Sequence, residues 1–266
     1  MSFEWKFFNE LGWTVFEPDN FMIDWASKAK QIALQRLNLK EFDDGQLRCG
    51  GTWFVGTNFL ENDSNGRLIN LSFEGRAVKE IIKRYGKFFN EWDQAQVSIC
   101  YQGYPKPDKS ETPQAFSYRK NNYAAHVDGI LPVGKTKRRH AWEYHAFIFG
   151  IPLVNYSKNQ APVVVWEGSH RIIRNFIFEK LSELPPALWK NQDITQIYHD
   201  ARREAFLKCK RTIIVAPVGG SYLLHRLALH GIMPWEKGAE DAQAGRMIAY
   251  FRPLLSKPKF WLSSSI

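Results

Sequence analysis

His126 and Asp128 stand two residues apart in the stretch Asn122-Tyr-Ala-Ala-His-Val-Asp128. In an extended chain, residues i and i+2 point to the same face, so an imidazole nitrogen and a carboxylate oxygen lie side by side. One further histidine would complete a 2-His-1-carboxylate face, the arrangement that holds non-haem Fe(II) and leaves coordination positions open. The other histidines all lie downstream: His140, His145, His170, His199, His225 and His230. His199 falls in a helical pattern and His140 ends a basic run, which suits solvated positions. His225 and His230 share the segment Leu223–Gly231. Their odd separation turns them to opposite faces of a continuous strand, and spacing by itself does not choose between them.

The elements that must position these residues are a few helices and many short strands. Trp13–Phe16 reads as a strand. Asp19 or Asn20 caps a helix over about 20–39, with Ile23, Ala26, Ala29, Ile32, Ala33 and Leu37 at helical spacing. A second helix, over about 73–89, carries Val78, Ile81, Ile82, Tyr85, Phe88 and Phe89 on one side. Gly50–Phe59 reads as a strand or tight hairpin arm, and Gln96–Tyr101 as a strand. From Phe116 onward short extended runs alternate with turns: Phe116–Arg119, Tyr123–Val127, Tyr144–Pro152, Pro162–Trp166, Thr212–Val218, Tyr222–Leu229 and Met247–Arg252. A helical pattern over Asp193–Leu207 interrupts them. The expected fold is mainly β, a barrel or sandwich with helices packed outside one core.

A chain of 266 residues with 10 Trp, 10 Tyr and 19 Phe can bury a large core. No repeat, low-complexity segment or linker divides it, so a single domain over 1–266 is expected. The formal charge of +9 favours acidic partners. No zinc-finger spacing, Arg/Gly repeat or basic tail accompanies it, which argues against nucleic acid. Cys49, Cys100 and Cys209 are far apart and odd in number, suggesting neither a disulfide framework nor a thiolate site. The first residues have no apolar signal core, and runs such as Ala146–Val154 are too short to span a bilayer as a helix. A cytoplasmic protein without a membrane partner is expected.

Four motifs occur in a familiar order: His126-Val127-Asp128, Trp166-Glu-Gly-Ser-His170, His230-Gly231 and Gly245-Arg-Met-Ile248. In this the chain resembles the phytanoyl-CoA dioxygenase-like branch of the Fe(II)/2-oxoglutarate-dependent oxygenases, over about residues 8–253. The resemblance implies a double-stranded β-helix (a jelly roll, cupin-like), with His126, Asp128 and His230 as iron ligands. It also implies that Arg246 binds the distal carboxylate of the co-substrate 2-oxoglutarate. The expected activity is a dioxygen-consuming hydroxylation of a small or medium organic substrate. Two departures stand out. Glu167 occupies a position where the family usually has proline, which bears on substrate contacts. The gap from His230 to Arg246 is longer than usual, with Trp235–Ala244 inserted, which makes Arg252 an alternative to Arg246; His225 is likewise the alternative to His230. His170 is placed either in its own turn or at the rim over the substrate.

Two other readings compete. A cupin-like metal enzyme that ignores 2-oxoglutarate has no need of Arg246. A non-enzymatic small-molecule binder would keep its ligand after substitution of Asp128. The run Lys135-Thr-Lys-Arg-Arg-His140 lies in a segment, Gly129–Trp142, without an acidic residue. It reads either as a solvated loop or as a cationic mouth that attracts a phosphate- or carboxylate-bearing substrate.

Overall fold

In the computed structural model, which describes residues 3–239 and 244–263, a first helix α1 (Phe3–Leu11) leads into strand β1 (Trp13–Phe16). Gly12 makes the turn between them at φ +82°. A Cβ there would sit 2.5 Å from His170 Nδ1, so the turn requires glycine. Asp19 accepts a hydrogen bond from the Met22 N–H and caps α2 (Asn20–Asn38), which buries Met22, Trp25, Ala26, Ala29 and Ala33. Then follow β2 (Leu47–Arg48), β3 (Trp53–Phe54), α3 (Arg76–Tyr85), β4 (Gln96–Cys100) and α4 (Pro113–Asn121). The second half contains β5 (Ile130–Val133), β6 (Arg138–Ala141), β7 (Phe147–Pro152), β8 (Val163–Trp166), α5 (Ser169–Leu181) and α6 (Thr195–Lys208). It ends with β9 (Arg211–Ile214), β10 (Ser221–His225), β11 (His230–Ile232) and β12 (Arg246–Phe251).

The strands form a seven-stranded sheet in the order β1-β10-β7-β12-β4-β3-β2, a three-stranded sheet β11-β8-β9, and the hairpin β5–β6. Every pairing is antiparallel. Alternation along β12 sets the two faces of the large sheet. Met247, Ala249 and Phe251 join Trp25, Phe73 and Trp92 in the main core beneath the helices. Ile248 and Tyr250 pack instead with Ile148, Tyr222 and Leu224 of the same sheet and Val163, Val165 and Ile214 of the small one. Arg246 and Arg252 continue this second row. The site therefore lies on the sheet face that looks toward the small sheet.

The structure differs from the sequence expectation in several elements. The architecture is mixed α/β rather than mainly β, with more residues in α-helix than in strand. Phe116–Arg119 is helical, because Thr112 caps the helix through Ala115 N–H and Pro113 starts it. The second helix is confined to Arg76–Tyr85, and only Trp53–Phe54 of Gly50–Phe59 is paired. Tyr222–Leu229 ends as a strand at His225, so His225 and His230 belong to different sheets. Of the Trp235–Ala244 insertion, residues 240–243 lie outside those described.

His225 and His170 form a second histidine pair, buried under α1 with ring centroids 4.7 Å apart. His225 Nδ1 accepts the Leu227 N–H, and His170 Nε2 faces the Asn9 carbonyl. Burial is the main cause that pushes His170 down to about 4 and His225 well below the usual range, with nearby arginines adding to it. The unfolded chain therefore binds more protons than the folded one between about pH 6.5 and pH 4. Stability is fully present above the unfolded value and is lost as pH falls through that window, about 3 kcal/mol for His170 alone. Urea unfolding at pH 7.5 and pH 4 measures the loss, and His170→Gln should shrink it by about 3 kcal/mol while leaving the His225 part.

Candidate metal centre

The peptide groups of His126 and His230 pair directly. His126 N–H donates to His230 O at 2.9 Å, and His230 N–H donates to His126 O at 3.1 Å. Two residues in such a reciprocal pair project side chains to one face. Their rings lie 4.6 Å apart by centroid. The segment before His126 is not a regular strand, since Tyr123 and Ala124 have φ of 55° and 51°. It is nevertheless tied to β11 by Ile232 N–H on Tyr123 O. Tyr198 and Arg202 of α6 secure it from outside: Val127 N–H donates to Tyr198 Oη, and Arg202 donates to Ala125 O.

His126 Nδ1 lies 3.0 Å from Ala124 O, and His230 Nδ1 lies 2.9 Å from Ala228 O. Each histidine uses Nδ1–H to donate to the carbonyl two residues earlier, which turns both Nε2 atoms toward the site. Those nitrogens face the same carboxylate oxygen. Asp128 Oδ1 is 3.1 Å from His126 Nε2 and 3.8 Å from His230 Nε2. The three donor atoms fall within 4.8 Å of one another. This is a 2-His-1-carboxylate triad.

Immediately after it, Gly129 turns the chain at φ +79° so that its carbonyl receives Trp142 N–H and Glu143 N–H. A Cβ at Gly129 would lie 2.0 Å from Glu143 O. Burial tends to raise the Asp128 pKa, but the His126 hydrogen bond and the Arg252 and His230 charges hold it well below the usual carboxylate range. Burial brings His230 down to about 4, with His126 contributing. For His126, burial tends to lower the pKa, and the Asp128 hydrogen bond and charge, with the Ala124 carbonyl, more than offset it. The shifts favour an ionised Asp128 and a neutral His230, as metal binding requires, and a metal would displace the proton that Asp128 favours on His126.

The donor set fits a divalent non-haem ion. Adjacent donors on an octahedral metal with bonds of roughly 2.0–2.2 Å lie about 3 Å apart. The His126–Asp128 pair already meets that spacing, and His230 requires only a short approach.

The sequence alternatives separate clearly. His225 lies with His170 under α1 and not among the three donors. His170 is only 6% exposed there, so it does not sit on a rim over a substrate. Its neighbour Ser169 accepts Leu229 N–H and so fixes the approach to His230. Glu167 accepts a hydrogen bond from Thr212 Oγ1 where β8 meets β9. Arg252 places Nη1 3.5 Å from Asp128 Oδ2.

Arg246 is fully buried at the other end of β12. One Nη donates to Cys100 Sγ at 3.1 Å, while Nε and the other Nη have no partner. Cys100 is its cross-strand neighbour, and Tyr156, Tyr222 and Tyr250 are close enough to feel its charge. Tyr222 and Tyr250 bond each other at 2.6 Å, and Tyr156 Oη is unpartnered. A buried guanidinium with free donors is a fit for a carboxylate.

Sequence reasoning missed the supporting groups: the Ala124 and Ala228 carbonyls, Tyr198 and Asp93. A signal for the carbonyls was present, since both histidines sit in an Ala-x-His triplet. The basic run builds the far half of the β5–β6 hairpin. Arg138 lies 3.7 Å from Asp193, His140 Nδ1 meets Lys190 O, and Arg139 is held by its backbone to Thr195 and Ile194.

No family model and no curated protein matches the chain. Among solved structures it is similar to the non-heme alpha ketoglutarate dependent carbocyclase SnoK from nogalamycin biosynthesis. That match has 12% identity and a TM-score of 0.47, over 96% of this chain and 84% of the other. It is similar to AviO1 from Streptomyces viridochromogenes Tue57 at 10% identity and TM-score 0.49, over 94% and 93% of the two chains. HygX from Streptomyces hygroscopicus, described with nickel, 2-oxoglutarate and hygromycin B bound, matches at 10% identity and TM-score 0.47, over 96% and 87%. Among the described residues, no helix is long and apolar enough to cross a membrane.

Proposed function

We propose that this chain is a single-domain Fe(II)/2-oxoglutarate-dependent oxygenase of the phytanoyl-CoA dioxygenase-like kind, hydroxylating a small or medium anionic organic substrate. The carrying observation is the triad: one carboxylate oxygen and two Nε2 atoms converge while both Nδ1 atoms are occupied by backbone carbonyls. The strand order supports a double-stranded β-helix core. From β7 to β12 the chain passes from large sheet to small and back, and the His126 segment joins the small sheet's edge at β11.

His126, Asp128 and His230 would hold Fe(II) on one face. Their single negative charge leaves the metal able to accept an anionic keto acid. Arg246 would receive the distal carboxylate of 2-oxoglutarate through its free Nε and Nη donors. Arg252 is already engaged with Asp128 and is the weaker candidate for that role. When bound, iron, 2-oxoglutarate and dioxygen supply the oxidative chemistry, giving succinate, CO2 and a hydroxylated product. The chain's own part is to turn both Nε2 atoms toward Asp128, to keep His230 neutral, and to aim Arg246 into the interior.

The deciding experiment is an anaerobic titration of the Fe(II)-loaded protein with 2-oxoglutarate, read as visible metal-to-keto-acid absorption. A new band supports the proposal. Metal binding without the band would favour a cupin-like enzyme that does not use 2-oxoglutarate, and absence of metal binding would sink both.

The anionic substrate class is supported by the cationic surface beside the triad. Arg139, Arg202 and Asp128 all lie close enough to Tyr198 to shift its pKa, after burial as the larger cause. Neutralising Lys137, Arg138 and Arg139 together should raise the apparent KM several-fold at low salt, with the difference shrinking at high salt. An unchanged KM at low salt would remove the charge from the substrate assignment.

A further inference from the structure

The two oxygens of Asp128 have different partners. Oδ1 faces both imidazoles, at 3.1 and 3.8 Å, whereas Oδ2 faces Arg252 Nη1 at 3.5 Å. Arg252 itself is clamped on both sides of its peptide. Its N–H donates to Asp93 Oδ1 at 2.8 Å, and its carbonyl receives His145 Nδ1–H at 2.7 Å. His145 is fixed in turn by Glu143 Oε2 at 3.2 Å. Glu143 feels the Arg252 charge but spends Oε2 on His145, and the ion pair of Arg252 is with Asp128. The Arg252 side chain is 24% exposed, and its Nε is buried without a partner.

We propose that Arg252 sets the denticity of Asp128, holding Oδ2 off the metal so that the carboxylate binds through Oδ1 alone. The inference rests on the reading of the triad as a metal centre. A carboxylate is free to bind a metal through one oxygen or two. With one, the protein fills three positions of an octahedral ion and three stay open; with two, only two stay open. A keto acid that chelates takes two positions, and dioxygen needs another. A bidentate Asp128 would therefore leave nowhere for dioxygen once the keto acid is bound. Arg252 is on this account a positioning residue: it acts through Asp128 and does not touch the reacting atoms.

Bound water reports the open positions directly, independently of turnover. The full chain is loaded to saturation with Mn(II), and the broadening of its EPR lines in 17O-enriched water counts exchangeable waters on the metal. The expected count is roughly three for the unaltered chain and two for Arg252→Gln, a loss of about one third of the broadening. Arg252→Lys, which keeps the cation, should restore most of it. If Arg252→Gln folds with an unchanged melting temperature and retains the full broadening, Arg252 does not control denticity. Equal loss in Arg252→Lys and Arg252→Gln would also overturn the proposal, since the charge would then be irrelevant. If the unaltered chain binds no Mn(II), the metal-centre reading itself fails, which is distinguishable from either result.

Discussion

Asp128→Ala should lower metal affinity by at least about a hundredfold, beyond the 10–100-fold typical of losing a group that only supports a ligand. It should also abolish the visible band formed with 2-oxoglutarate. Asp128 is the one anionic member of the triad, and Oδ1 is the atom that both imidazoles face. Its removal leaves two neutral nitrogens, with Arg252 nearby and no carboxylate to offset it. The metal would then enter a site of net positive character. Isothermal titration with Fe(II) or Mn(II) measures the affinity, and anaerobic absorption measures the band. A second signature is available without metal. Asp128 is the group that raises the His126 pKa against the effect of burial, so an NMR pH titration of His126 should shift downward in the variant. Unchanged metal affinity in Asp128→Ala would dismiss the triad as a chance arrangement of polar groups.

Arg246→Met should change two properties in opposite directions. Arg246 is a completely buried cation with two unpartnered donors and no carboxylate partner among the described residues. A charge kept in that state destabilises the protein, and an apolar side chain of similar length removes the cost, by roughly 1–4 kcal/mol. The metal-free variant should therefore melt several degrees higher than the unaltered chain. Its affinity for 2-oxoglutarate should fall, because truncating one side of a buried charge pair costs about 2–5 kcal/mol, or some 30-fold to several thousandfold. Differential scanning calorimetry and the anaerobic titration give the two numbers. A higher melting temperature with unaltered 2-oxoglutarate affinity would show the cation to be unrelated to the co-substrate. A parallel Arg252→Met variant tests the alternative anchor: there a loss of 2-oxoglutarate affinity larger than that in Arg246→Met would exchange the roles of the two arginines.

These opposite effects follow from a trade between stability and function. The second buried histidine pair, His170 and His225, follows a simpler logic. Both are packed and stand outside the three donors, and their low pKa values reflect burial under α1. A perturbed pKa marks a functional candidate only when the group also opens to a ligand.

The His-x-Asp spacing determined that His126 and Asp128 would share a face, because that follows from backbone alternation wherever the chain is extended. Local signals also settled β1, α2, β4, α6 and β12, where periodicity or β-branched runs act over a few residues, and left the cap of α2 between Asp19 and Asn20 until the Met22 N–H bond chose Asp19. They failed where tertiary contacts or short-range caps overrode composition. Phe116–Arg119 looked extended but follows Thr112 and Pro113 into a helix. α1 and α5 went unread, although α1 closes over His170 and α5 begins at Ser169. Spacing left His225 and His230 equivalent, since it assumed one continuous strand. The break after His225 sends the chain from the large sheet to the small one, and only long-range pairing with Val165 on one side and His126 on the other brings His230 to Asp128. The same limit applies to Arg252. Its distance from Asp128 along the chain says nothing of their contact, which exists because β12 crosses the sheet to end beside the turn at Gly129. Residue types and local spacing named the donors, and the crossing of strands between two sheets selected which of them meet.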